Sequence, residues 1–157
     1  MWRSCFALVA ILIASGCSGS PLAKLNSPDQ LTLYSIDGRD EDRRLKDLEV
    51  KSSETFHGYP VLGKVEVTDP DRRKQLIAAL KDAHARRPTD GAKCFWPRHG
   101  IRAIEKGQTI EYVVCFECSR FEEFMGGKKL RHDLLNSDVQ PTFDKPLTEA
   151  GIPIAPE

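Results

Sequence analysis

"GIRAIEKGQTIEYVVC", residues 100–115, decides the fold. Apolar and polar residues alternate on both sides of Lys106-Gly107, which reads as two strands joined by a two-residue turn. With that pair in the turn, Glu105 faces Gln108, and the register follows by counting. Arg102 falls opposite Glu111, Ala103 opposite Ile110 and Ile101 opposite Tyr112. An ion pair on one face and apolar pairs on the other is the arrangement cross-strand energetics favour, so the register is self-consistent.

Working toward the N-terminus, Asp69-Pro70-Asp71 is a helix start: a capping side chain, a proline suited to the first helical position and an acid at the positive end of the dipole. Leu76, Ile77, Leu80 and Ala83 recur at helical spacing, Arg86 and Arg87 suit the C-terminal end, and Pro88 stops it. A helix over about 70–86 is expected. Before it, Val61, Gly63, Val65 and Val67 alternate with Leu62, Lys64 and Glu66 as in a half-buried strand, and Leu31 to Ile36 reads as a shorter strand closed by Asp37-Gly38. Between them, residues 38–51 hold ten charged residues of mixed sign in fourteen, a solvated run with at most a helix near Asp42 to Leu48.

Toward the C-terminus, Gly126-Gly127 reads as the end of the strand region, and Lys128 to Gln140 as irregular and polar. Thr142 can cap a short helix reaching Ala150, with Pro146 in its first turn and Gly151 closing it. The order β-β-α-β-β-α implies an α+β class: a two-layer domain with an antiparallel β-sheet packed on one main helix (about 70–86), plus a short C-terminal helix.

Residues 1–16 read as an export signal: Arg3 provides the positive region, and Cys5 to Ile13 is apolar but shorter than the ~20 residues a membrane span needs. Ala14-Ser15-Gly16-Cys17 follows, and then the polar Ser18-Gly19-Ser20-Pro21. This start resembles bacterial lipoprotein precursors, with Ala14 where the lipobox usually carries Leu. The resemblance implies cleavage before Cys17 and acyl chains on its N-terminus, each buried methylene adding about 0.8 kcal/mol of membrane affinity. Residues 17–30 are then expected as a lipidated cysteine and flexible tether of about 20 Å reach. Residues 31–155 form a single globular domain held at the membrane, in the cell envelope, facing the periplasm or exterior.

After removal of the signal, 141 residues remain, with 22 basic and 23 acidic side chains. That length suits one domain, and that balance excludes an electrostatic case for nucleic acid. Clusters such as Lys128-Lys129-Leu130-Arg131 read as solvated surface.

Three cysteines remain in the domain: Cys94, Cys115 and Cys118. An exported chain meets an oxidising space, where thiols pair. Cys94, His99, Cys115 and Cys118 could make a tetrahedral zinc site, the only cofactor the sequence brings into view. Against chelation, "VVCFECSRF", 113–121, continues the strand alternation, which sends Cys115 and Cys118 to opposite faces. Extended chain would also hold their Cα atoms about 10 Å apart, beyond the ~7 Å limit for a disulfide. Counting the hairpin register outward, one extra residue near Pro97 sets Cys94 opposite Cys118. A Cys94–Cys118 cross-strand disulfide is therefore expected, with Cys115 outward and unpaired. Cys115 and His99 point to opposite faces in this register, and no acid is placed to orient the imidazole, which weighs against an enzyme.

The segments "CFWPRHGIR" (94–102) and "CFEC" (115–118), with "GYPVLGKVEV" before and "IPIAP" after, resemble a family of bacterial exported proteins and lipoproteins without an assigned activity. The resemblance implies a location and no catalytic residues. The sequence thus points to a lipid-anchored envelope protein, a binding or structural module whose partners are the membrane, through lipid on Cys17, and a protein or envelope component. The alternative is a thiol or zinc-site protein using Cys94, His99, Cys115 and Cys118.

Overall fold

The computed structural model describes residues 20–40 and 53–156. The signal, the lipobox with Cys17 and the charged helix expected near 42–48 lie outside them. The described residues form a mixed α+β fold on a curled, seven-stranded antiparallel sheet. In chain order the elements are α1 (Pro21–Lys24), β1 (Gln30–Ile36), β2 (Thr55–Phe56), β3 (Tyr59–Glu66), α2 (Pro70–Ala85), β4 (His99–Glu105), β5 (Gln108–Cys115), β6 (Arg120–Met125), β7 (Lys128–Leu134), a 3-10 turn (Ser137–Val139) and α3 (Gln140–Glu149). Strand order across the sheet is β2-β3-β1-β4-β5-β6-β7.

The central β4–β5 hairpin has the register the sequence requires: Arg102 pairs with Glu111, Ala103 with Ile110, Ile101 with Tyr112 and Glu105 with Gln108. Lys106 (φ 52°) and Gly107 (φ 75°) both take the left-handed conformation that a type I′ turn demands. Helix α2 begins where expected. The Asp69 carboxylate accepts the N–H groups of Asp71 and Arg72 at 2.8 and 3.1 Å, and these bonds hold its carboxyl below the usual aspartate range. At the other end, Arg86 donates to Asp82 and Asp138, each at 2.6 Å, joining the helix to the 3-10 turn.

Two regions depart from the expectation. Gly126-Gly127 is a hairpin turn rather than the end of the sheet, with φ of 58° and 75°, and the polar run after it is strand β7, paired antiparallel with β6 from Arg120–Leu134 to Met125–Lys128. An edge strand needs few apolar residues because one of its sides meets solvent, which is why KKLRHDL carries a weak signal. Helix α3 begins at Gln140, with Pro141 in its first turn, two residues before the expected Thr142 cap.

The expected tether also differs. Leu22 and Leu25 are buried in the main core beside Leu31, Leu33, Ile101, Ile110 and Tyr112. The chain from Ser20 onward is therefore part of the folded domain, because two apolar side chains three positions apart find a site in the core. The same cluster receives Leu76, Ile77, Leu80 and Ala83 from α2 and Phe143 and Leu147 from α3.

The opposite sheet face carries a second, smaller cluster of Tyr34, Ile36, Phe56, Val61, Val113 and Phe124. The β2–β3 turn folds Phe56 and His57 over it. Phe56 stacks on Tyr34 at 4.4 Å and the His57 ring stacks on Phe124 at 3.7 Å. That cover explains why Glu111 and Val113, on a face that reads as polar in sequence, are both buried.

Candidate functional site

The cysteines come together at the end of β5. The strand stops at Cys115, and residues 116–119 turn back into β6, with Ser119 at φ 52° donating its N–H to the Phe116 carbonyl at 2.8 Å. This turn brings the Cα atoms of Cys115 and Cys118 to 5.2 Å, and the two are joined in a disulfide. Extrapolating the strand period past Cys115 is what misassigned the pair: the strand ends at Cys115, while the alternation in sequence runs on past Cys118. The expected Cys94–Cys118 bond and the outward Cys115 are both corrected by this, since Cys115 and Cys118 are buried and bonded to each other and Cys94 is the exposed free thiol among the described residues.

Cys94 is nevertheless a neighbour. Its Sγ lies 4.0 Å from Cys118 Sγ. The loop that carries it is fixed to the turn: the Ala92 N–H donates to the Cys118 carbonyl at 3.2 Å, and Arg120 donates to the Ala92 and Gly91 carbonyls at 2.6 and 3.2 Å. On its other side Phe95 is half-buried against the second cluster and lies 5.1 Å from the His132 ring.

His99 stands apart from this group in its bonding. Its Nε2 meets Asp144 Oδ1 at 2.6 Å, and its ring lies edge-on to Phe116 at 5.1 Å. Sequence reading found no acid for this imidazole because Asp144 arrives from α3, 45 residues away. Burial opposes ionisation of Asp144, but the hydrogen bond and charge of His99 outweigh it and hold the carboxyl below its usual range. Among the described residues, no three His, Cys, Asp or Glu side chains are grouped to hold a metal ion. Of the four residues proposed for zinc, two are consumed by the disulfide and His99 is engaged by Asp144.

On the second face, Glu111 accepts from Arg102 Nε at 2.6 Å and lies 3.0 Å from His57 Nε2. The Arg102 guanidinium also covers Tyr34 and Phe56, 5.4 and 5.6 Å from their ring centres. This cluster closes the aromatic face.

A groove of about 560 Å³ opens where the described chain begins. Ser20, Pro21, Leu25, Ile110, Met125 and Leu130 line it, with Lys24 and Arg131 among its charged groups. Its size is within the usual range for small-molecule pockets. Met125 and Leu130 are the exposed large hydrophobic side chains of the described residues, and both border it. Glu123 fixes its inner wall. The carboxylate is fully buried, accepts the Leu22 N–H at 2.8 Å and the Ser20 hydroxyl at 3.2 Å, and pairs with Arg131 Nε at 2.9 Å. Burial, and after it the charge of Glu123, push the neighbouring Tyr112 phenol well above its ordinary range.

Sequence reading missed this groove because its parts come from four separated segments. Only the paired signals of a buried-spaced Leu22 and Leu25 and the apolar Leu130 inside a basic run pointed to it. No family model matches the chain, and neither the curated proteins nor the solved structures contain a match.

Proposed function

We propose that this chain is a lipid-anchored protein of the bacterial cell envelope, attached through acyl chains on Cys17, whose α+β domain is a non-enzymatic binding module for an apolar chain of an envelope lipid. The observation that carries this reading is the groove beside Ser20. Ser20 lies three positions after Cys17, and three steps of extended chain span at most about 11 Å. An anchor on Cys17 would then lie within that distance of Ser20, which lines the groove together with the exposed Met125 and Leu130. The groove's charged lining is balanced, Lys24 and Arg131 against Glu105 and Glu123, which suits a zwitterionic headgroup.

The two-layer form of the fold, one helix laid on one sheet face, fits such a module. It is supported by Leu76, Leu80 and Ala83 of α2 sharing a core with Leu31 and Ile101 of the sheet. The groove then lies at the sheet's β5–β6–β7 side, where Ile110, Met125 and Leu130 reside.

Two measurements test the reading. Expressed with its signal, the wild-type chain should fractionate with membranes and Cys17→Ser should become soluble; equal distribution of the two sinks the anchor. The soluble Cys17→Ser protein should bind a fluorescent fatty acid, and Met125→Glu with Leu130→Glu should weaken that binding at least tenfold. Unchanged binding sinks the groove. A thiol-based role is the second reading, favoured by the approach of Cys94 to Cys118.

A further inference from the structure

An exposed thiol held 4.0 Å from one sulfur of a buried disulfide is placed for exchange rather than for packing. The placement is built from both sides. The Ala92 and Gly91 backbone is tied to the turn through the Cys118 carbonyl and the Arg120 guanidinium, and Phe95 is lodged against the second cluster. Cys94 therefore sits at Cys118 because its neighbours are fixed there. The Cys118 N–H points at Cys115 Sγ at 3.2 Å, a donor suited to a sulfur that acquires negative charge.

We propose that Cys94, Cys115 and Cys118 form a thiol–disulfide exchange relay that carries the disulfide from the buried turn to the protein surface. The Cys94 thiolate attacks Cys118 Sγ, forming the Cys94–Cys118 bond. The Cys115–Cys118 bond breaks, its electron pair leaves with Cys115 Sγ, and Cys115 takes up the proton that Cys94 released. Nothing is oxidised or reduced in sum, so no external oxidant enters this step. The leaving thiolate is the sulfur that already receives the Cys118 N–H.

In the product, one sulfur of the disulfide belongs to an exposed residue. A thiolate of an external dithiol, on a protein or a small molecule, can attack Cys94 Sγ and expel Cys118 as its thiolate. The second thiol of that substrate then attacks its own mixed-disulfide sulfur and frees Cys94. Each disulfide of this chain thus oxidises one external dithiol and leaves Cys115 and Cys118 reduced. In the resting form no such attack is open, because Cys115 and Cys118 are both buried. Cys94 is thus the residue that sets access, and the two remaining cysteines hold the oxidising equivalent.

Two experiments on the full-length chain decide this. In Cys115→Ser, oxidation with glutathione disulfide should produce a Cys94–Cys118 bond in nearly all molecules, read by acid quench, alkylation and peptide mapping. Both thiols remaining alkylatable would overturn the relay. In Cys94→Ser, reduction of the Cys115–Cys118 disulfide by dithiothreitol, as the probe dithiol, should slow at least tenfold relative to wild type. Because Cys94 is exposed, this variant keeps its fold, which circular dichroism verifies in the same samples. An unchanged reduction rate in folded Cys94→Ser would overturn the assignment of Cys94 as the entry thiol.

Discussion

The Glu123 carboxylate accepts the backbone N–H of Leu22 at 2.8 Å across 101 residues of chain, and this bond stitches the start of the described chain to strand β6. The same carboxylate binds Arg131 from β7 at 2.9 Å. One buried acid therefore holds three parts of the groove wall together: α1, β6 and β7.

Glu123→Ala should accordingly destabilise the domain by about 3 kcal/mol, because it leaves a partly buried guanidinium and a buried N–H without their partner. Urea unfolding followed by tryptophan fluorescence measures it. The variant should also become susceptible to limited proteolysis near residues 20–25, where wild type resists.

Leu25→Ala distinguishes a folded segment from a tether. A fully buried leucine in the main core costs about 2–5 kcal/mol on truncation, whereas the same change in a flexible tether stays within about 0.5 kcal/mol. A shift of the unfolding midpoint as small as that of a surface substitution would return residues 20–30 to the tether.

What the sequence made legible was local. The β4–β5 register follows from a two-residue turn and a period of two, and α2 from a cap, a proline and four apolar residues at helical spacing, all within sixteen residues of one another. Long-range features were not legible. Leu22 and Leu25 sit in a Ser/Pro/Asn-rich run that looks like a linker until the core claims them. Asp144 reaches His99 from a helix placed beside β4 by tertiary packing. For the cysteines, counting brought Cys94 to Cys118 correctly in space, but the turn at 116–119 gave Cys118 a nearer partner in Cys115.

Gly127→Ala tests the β6–β7 hairpin. At φ 75° an L side chain is strained, so the change should cost about 1 kcal/mol and speed amide exchange in β7. Were residues 128–134 irregular, as their composition implies, the substitution would leave both unchanged.

Acid should loosen the domain in a defined direction. Burial opposes ionisation of Asp133 and Asp144, yet the hydrogen bonds from His84 and His99 outweigh it, and both carboxyls lie below their usual range. A depressed folded-state pKa contributes stability that is complete above the unfolded value of about 3.9 and is lost as pH falls through the folded value. The urea midpoint of wild type should therefore drop as pH falls below about 4. Asp133→Asn with Asp144→Asn should lower the midpoint at pH 6 and flatten this dependence; a parallel curve would remove both residues from the acid response.

Strand β7 is an edge strand of the sheet among the described residues, and its Lys128, Lys129 and Arg131 place like charges along the line where another strand would have to add. Charged edges discourage such pairing. The polar run that hides β7 in the sequence is thus also what keeps neighbouring molecules from zipping into a continuous sheet.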